Sequence, residues 1–339
     1  MFTDGLAAAL ARRGHRVTVF SEDPAPNGAP YDIAVLPARA GRLSPLTFPF
    51  AVRRTDFSAF DLIHAQGDEQ FLPFGRHPPV IRTMHGTSLA EAWFNGVRTG
   101  SPKRLALHAY FYAAECLADL RADAVVAVSA HTARFYPRVD AVIPNGIDLE
   151  AWVPDGTPKS SRPSILFVGE VDTRKRGRLL LEVFTREVLP AIPDAQLWMV
   201  GPVRAEPPGS PGPPGVEWCG TVPDKDLQAL MRRAWVMCLP SAYEGFGRPY
   251  AEAMAAGTAV VATSNPGARE VLQDGRAGII ADDRALGQAL IRLLQHPDER
   301  ADFERRGLER AQAFSWSTVA AAYERVYERV LASRGGGPG

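Results

Sequence analysis

Short β-branched and apolar runs alternate with amphipathic stretches along most of the chain. That pattern predicts parallel strands covered by helices. Thr3 to Arg13 has apolar positions at helical spacing, with Gly14 placed to stop the helix. Strands are expected at Arg16–Phe20, Asp32–Leu36, Asp61–Ala65, Val80–Met84, Ala124–Val128 and Ala141–Ile143. Several of these are nearly continuous apolar runs, as in strands buried on both faces. A polar, proline-rich stretch from Pro154 to Pro163 interrupts the alternation, which then restarts. Strands are predicted at Ile165–Val168, Gln196–Val200, Val216–Cys219, Val236–Leu239, Ala259–Ala262 and Gly278–Ala281. Between them fall helices at Gly177–Leu189, Lys225–Arg233 and Pro249–Ala256, and three more helices close the chain, the last after Ser315.

The expected fold class is α/β, with two Rossmann-like, doubly wound parallel-sheet domains. Residues 1–153 would form the first, 154–163 a linker and 164–314 the second, and a helix over 315–334 would return to the first domain. A doubly wound domain normally opens with a strand and a glycine-rich turn. This sequence opens on the helix that would follow them, so such a strand and turn are expected upstream of Met1. Two neighbouring strands would lack a central partner without it, which predicts a less stable or less active chain.

Composition narrows the function classes. The 339 residues carry 38 basic and 38 acidic side chains, a formal charge of zero that lacks the electrostatic footprint of a nucleic-acid binder. Three widely spaced cysteines make neither a disulfide framework nor a cysteine zinc site, and a cytoplasmic location is expected. No stretch approaches the roughly 18 apolar residues of a membrane span, so membrane contact is expected to be peripheral at most. The histidines show no i, i+4 pair, so no metal site is argued from them. Pro207 to Gly215 reads as a low-complexity loop insertion.

The most informative segment runs from Ser241 to Met254, directly after the strand at Val236–Leu239. Gly245 and Gly247 allow close backbone approach to a ligand, and Pro249 suits the first turn of the next helix. Free N–H groups and the helix dipole favour a phosphate there. Glu244 and Glu252 flank this loop. Carboxylates repel phosphate, so this pair fits acceptance of hydrogen bonds from sugar hydroxyls.

This segment resembles the E-x7-E region of retaining glycosyltransferases of family 4, which have the GT-B architecture of two domains facing across a cleft. The similarity continues through Ala255–Thr263, Asn265–Glu270, Gly275 and Gly278. Upstream, Thr83–Thr87, Val128-Ser129 and Ile143–Asp148 match further landmarks, and Phe314-Ser315-Trp316 resembles the entry to the last helix. The resemblance implies transfer of a sugar from a nucleoside diphosphate sugar to an acceptor that is a sugar, a lipid-linked or a small molecule. It implies that Glu252 binds ribose, that Glu244 contacts the donor sugar, and that Gly245, Phe246 and Gly247 lie against sugar and diphosphate. A glycine–arginine pair and a lysine grip the diphosphate in the family. Gly169 and Lys175 match, but Glu170 stands at the arginine position, which leaves Arg174 or Arg176 to substitute. His85 would lie near the reacting sugar. No cofactor or metal is expected, and His85, Lys175 and Glu244 are the expected catalytic residues.

Two rivals share these features: a sugar–nucleotide hydrolase or epimerase, and a non-catalytic nucleotide-sugar-binding or scaffold protein. His64 also falls at a strand end, where packing explains it better than catalysis. Asp224-Lys225-Asp226 looks like a metal motif, but it precedes a helix, where an N-cap and an acidic first turn account for it. Arg42 to Phe60 mixes arginines with phenylalanines that could face an acceptor, though core packing is the simpler reading.

Overall fold

The computed structural model describes residues 2–24, 28–36, 44–67, 71–72, 77–87, 102–202 and 212–335. Arg42 and most of the proline-rich loop at 207–211 lie outside them. The chain forms two compact units, one of residues 1–146 with 316–339, the other of residues 147–315. The strands are β1 (Thr18–Ser21), β2 (Asp32–Val35), β3 (Ile63–Ala65), β4 (Val80–Met84), β5 (Ala124–Ala127), β6 (Ala141–Val142), β7 (Ser164–Val168), β8 (Gln196–Val200), β9 (Val216–Gly220), β10 (Val236–Leu239), β11 (Ala259–Thr263) and β12 (Ile279–Ala281). The longer helices are α1 (Phe2–Arg12), α2 (Ser44–Arg53), α3 (Pro102–Arg121), α4 (Gly177–Val183), α5 (Asp224–Arg233), α6 (Arg248–Ala255), α7 (Pro266–Val271), α8 (Leu286–Gln295), α9 (Pro297–Ala311) and α10 (Trp316–Gly335).

In the first unit, β3-β4-β5-β6 form a parallel sheet and β1-β2 a separate parallel pair. Among the described residues, β1 and β3 each pair on one side only. Strand alternation sends Ile81, Ala124 and Val126 to one face, against Leu6 and Leu10 of α1 and Val319, Tyr323 and Val326 of α10. Val80, Met84 and Val125 face the other way, against Phe57, Leu72 and Tyr136. Val17 joins the first layer and Phe20 the second, so the same two apolar layers cover both sheets. Phe57 and Phe60 pack against Phe20, which makes that part of the Arg42–Phe60 stretch core. Phe50 instead stacks on Phe71 and is exposed.

The second unit is one six-stranded parallel sheet in the order β12-β11-β10-β7-β8-β9. Its first strand, β7, lies between β10 and β8, with Ile165 opposite both Val236 and Leu197. The chain winds outward from β7 to β9, then returns to the other side of β7 for β10 to β12. The winding direction therefore reverses between β7 and β10, and a crevice opens beyond their carboxyl ends. Residues 154–163 belong to this unit and are held down. The Lys159 ammonium donates to the Ala234 and Gly257 carbonyls (2.9 and 2.8 Å), and the Trp235 indole donates to Ser160 O at 2.8 Å. Ile147 and Ser315, where the chain enters and leaves the unit, form a parallel bridge.

Helix α10 docks on α1 in the first unit. The Arg13 guanidinium donates two hydrogen bonds to Glu324, at 2.7 and 2.6 Å, with His15 at 2.9 Å. The Arg13 bond is the main reason the Glu324 carboxyl is held down at about 2. A carboxyl whose pKa is lower in the folded state stabilises above its unfolded pKa, and loses that contribution as pH falls toward the folded value. Glu324→Gln is therefore expected to lower the melting temperature at pH 7. The gap from the unmodified protein should narrow as pH falls below about 4.5. A gap that stays constant across that range would contradict this role of the pair.

Candidate functional site

At the end of β7 the backbone turns through Gly169 at φ +148, and the Lys175 side chain lies across it, so close that a Cβ there would meet Lys175 Cδ at 2.1 Å. At the end of β8, Gly201 (φ +130) is in turn pressed on the Gly169 carbonyl, 2.3 Å from where its own Cβ would stand. These two glycines let the ends of adjacent strands close on one another and leave room for the lysine. The Lys175 ammonium donates to Val168 O at 3.2 Å and is half-buried. Burial pushes its pKa down, Glu244 and Glu252 oppose this, and Arg174 adds to it.

The loop after β10 supplies the carboxylates. Glu244 is 6% exposed, and its Oε1 accepts from the Ser241 hydroxyl and from Arg174 Nη1, both at 2.8 Å. Gly247 then caps α6, whose first residues include Pro249. Glu252, 8% exposed, accepts from Arg248 Nη2 at 2.9 Å. Desolvation raises the Glu252 pKa above the ordinary 4.5, Arg248 and Lys175 pull it down, and Asp224 pushes it up. Two buried carboxylates thus share the crevice with one half-buried and one exposed cation.

Several expected site residues sit differently from one another. Gly169, Arg174, Lys175, Glu244, Gly245 and Gly247 lie on the two loops that follow β7 and β10, and Glu252 lies in α6, the helix that the second loop enters. Phe246 turns its ring inward, edge-on to Phe314 at 5.4 Å, and the residue as a whole is 4% exposed, so its side chain packs into the unit instead of lying against a ligand. Arg176 is committed elsewhere, to Pro240 O, Thr263 Oγ1 and both oxygens of Asp283. Glu170 follows Gly169, and its carbonyl accepts from the Thr173 hydroxyl. Asp224 and Asp226 lie in the first turn of α5, whose N-cap is Pro223 rather than an aspartate. Among the described residues no cluster of three metal-ligating side chains occurs.

His85 belongs to the first unit. It follows β4, its Nε2 lies 2.6 Å from Gln66 Oε1, and Phe2 meets its ring edge-on at 4.4 Å. Desolvation lowers its pKa to about 4, Asn145 opposing, so the ring is neutral at pH 7. His64 is occupied at both nitrogens, by Tyr327 OH (2.6 Å) and Thr83 Oγ1 (2.8 Å), which ties β3 and β4 to α10. Packing is its role here.

Sequence reasoning missed Ser241, Arg248, Thr263, Asn265 and Asp283. Asn265 caps α7 through Ala268 N–H and donates to Ser241 O (3.2 Å), so the helix start and the Glu244 turn are fixed together. An asparagine before Pro-Gly at a strand end was a legible capping signal. The Arg248–Glu252 pair was legible too, from its i, i+4 spacing.

The two parallel-sheet units, with this crevice in the second, define the GT-B class of glycosyltransferase fold. Comparison with known proteins agrees. Residues 1–151 match the family described as Glycosyltransferase Family 4, and residues 162–296 match Glycosyl transferases group 1. A phosphatidyl-myo-inositol mannosyltransferase of Mycobacterium leprae is 30% identical over 365 residues, covering 97% of this chain and 92% of that protein. Its counterpart in Mycolicibacterium smegmatis is 36% identical over 205 residues, a match spanning 56% of this chain and about half (52%) of that protein. Among solved structures, sucrose-phosphate synthase from Thermosynechococcus elongatus aligns at TM-score 0.77 and 22% identity, over 97% of this chain and 92% of that one. Anabaena HepE, solved with UDP-glucose, aligns at 0.72 and 18% identity, over 97% and 95%. The chain belongs to glycosyltransferase family 4.

The contact between the ends of β7 and β8 yields a test of the site's framework. Gly201→Ala would place a methyl group against the Gly169 carbonyl at a left-handed φ, and is expected to destabilise by about 1–3 kcal/mol. Thermal or denaturant unfolding measures this, and unchanged stability would contradict the close approach.

Proposed function

We propose that this protein is a retaining glycosyltransferase that moves a sugar from a nucleoside diphosphate sugar to an acceptor hydroxyl. One observation carries the reading: two buried carboxylates, Glu244 and Glu252, stand beside the Lys175 ammonium and the Arg174 guanidinium, at the point where the sheet reverses its winding. Glu252 accepts hydrogen bonds from the ribose diol, and Glu244 from hydroxyls of the transferred sugar. Lys175 and Arg174 take the diphosphate. Arg174 fills the cationic place left by Glu170, because the donors of Arg176 are already engaged.

In the step itself, the bond from the anomeric carbon to the diphosphate oxygen breaks and a bond to the acceptor oxygen forms on the same face of the sugar. The proton of the acceptor hydroxyl passes to a departing phosphate oxygen. Lys175 and Arg174 hold the charge that develops on the leaving diphosphate, and preorganised donors of this kind contribute about 3–4 kcal/mol each in the transition state. His85 lines the acceptor side, and its neutral ring at pH 7 fits contact with a sugar hydroxyl. Retention is supported by the family resemblance. The relatives named as phosphatidyl-myo-inositol mannosyltransferases make a mannosyl donor and an inositol lipid the first pair to assay.

If Glu252 receives the ribose, Glu252→Ala should weaken binding of the free nucleoside diphosphate by about 1.5–3 kcal/mol, the range for hydrogen bonds to charged groups. Calorimetric titration checks this, and an unchanged affinity would remove Glu252 from the site. Because cationic side chains are assigned the leaving-group charge, turnover is expected to persist in excess chelator. Complete loss of turnover, restored by Mg²⁺ or Mn²⁺, would contradict that assignment.

A further inference from the structure

We propose that Arg176 and Asp283 form a positioning pair that holds the Ser241–Glu244 turn in place for the donor sugar. This rests on the reading of Glu244 as a donor contact. Arg176 adopts φ +53, a left-handed conformation that is unfavourable for a side chain with a Cβ and persists only where the surroundings enforce it. The surroundings here are four acceptor contacts from three neighbouring strand ends. Nε donates to Pro240 O (2.6 Å) after β10, Nη2 to Thr263 Oγ1 (3.0 Å) at the end of β11, and Nη1 and Nη2 to the two oxygens of Asp283 (2.7 and 2.9 Å) after β12. Such fork-on-fork pairing fixes the plane of the guanidinium as well as its place.

From that plane a continuous hydrogen-bonded path reaches the donor carboxylate. The Thr263 hydroxyl, held by Arg176, donates to Ser241 O at 2.9 Å, and the Ser241 hydroxyl donates to Glu244 Oε1 at 2.8 Å. Pro240, directly before Ser241, is gripped by the same guanidinium. The turn that presents Glu244 is therefore anchored at Pro240 by Arg176 directly, and at Ser241 through Thr263, with Asn265 as a second donor there.

Asp283 is the accessible end of this path, with a side chain 54% exposed against 26% for Arg176. Its neighbour Asp282 makes the local turn, accepting from the Arg284 and Ala285 N–H groups at 2.9 and 2.8 Å. Substitution of Asp283 thus leaves the turn's own bonds intact. A half-exposed ion pair adds little to global stability, so the consequence of losing it falls on geometry.

The test uses Asp283→Asn and Asp283→Ala in the full chain. Melting temperature should move by no more than about 2–4 °C. Hydrogen exchange followed by mass spectrometry should show faster exchange over residues 240–247 than in the unmodified protein. Unchanged exchange there in both variants overturns the proposal. In titrations with UDP-glucose and GDP-mannose, Asp283→Asn should weaken the nucleotide sugar that binds by about three- to tenfold. The double variant Glu244→Ala/Asp283→Asn should bind no more weakly than Glu244→Ala alone, because the pair acts through Glu244. Additive losses in the double variant also overturn the proposal. If Glu244→Ala leaves both affinities unchanged, the assignment of Glu244 falls instead, and the exchange result alone then upholds or overturns the positioning pair.

Discussion

In the second unit, strand β7 hydrogen-bonds to β8 on one side and to β10 on the other, and every group assigned to the donor depends on that placement. Because the chain leaves β7 in one direction and comes back to β10 in the other, the loops after these two strands stand side by side at the crevice beyond their carboxyl ends, with the Ala242 N–H donating to Arg174 O at 2.8 Å between them. The β7 loop brings the cations Arg174 and Lys175. The β10 loop brings Glu244, and the first turns of α6 bring Glu252. Had β10 been added beyond β9, the two loops would lie at opposite sides of the sheet and the charges would never meet. The strands themselves are held by burial on both faces, with Ile165, Leu166, Phe167, Met237 and Cys238 at 0% exposure. Full burial of one such side chain is worth about 1.5–3 kcal/mol, so the sheet is rigid on the scale of the site's polar contacts.

The charges placed there are matched in an order of their own. A buried carboxylate resists ionisation, and Glu252 responds to burial by a raised pKa that Arg248 and Lys175 only partly offset. Lys175 responds in the opposite sense, with burial lowering its pKa and the two carboxylates supporting its charge. In both cases burial favours the neutral form, and the neighbouring charge of opposite sign opposes it. An arriving donor brings hydroxyls for the carboxylates and a diphosphate for the cations, so both kinds gain partners without changing place. Arg174 and Arg176, two residues apart, divide the remaining work: Arg174 reaches Glu244 at the mouth of the crevice, while Arg176 turns back to knit three strand ends together.

Most of the second unit could be read from the chain. Gln196–Val200 and Val236–Leu239 are strands at the residues expected, since apolar runs ended by turn residues leave little choice of register. Pro249 marked the start of α6 to within a residue. Gly177–Leu189 was less legible. The helix there changes to a π-type turn at Phe184–Val188, and no local residue signals it. Helix α3 escaped notice because its apolar residues do not keep one face: Leu107, Tyr110, Leu117 and Leu120 are exposed while Ala118 is buried. In the site, residue types were legible but directions were not. Two arginines at 174 and 176 look equivalent in sequence, and only the left-handed backbone at Arg176 sends its guanidinium toward Asp283. A contact between residues more than a hundred positions apart leaves no local trace.

A structure of the protein with a bound nucleoside diphosphate sugar decides where the donor sits. The nucleotide is expected between the ends of β7 and β10, with the diphosphate in hydrogen-bond reach of Lys175 and Arg174. The ribose should lie on Glu252 and the sugar on Glu244. A nucleotide bound outside that crevice, or bound within it with both carboxylates turned away from its hydroxyls, would contradict the assignment of Glu244 and Glu252 to the donor.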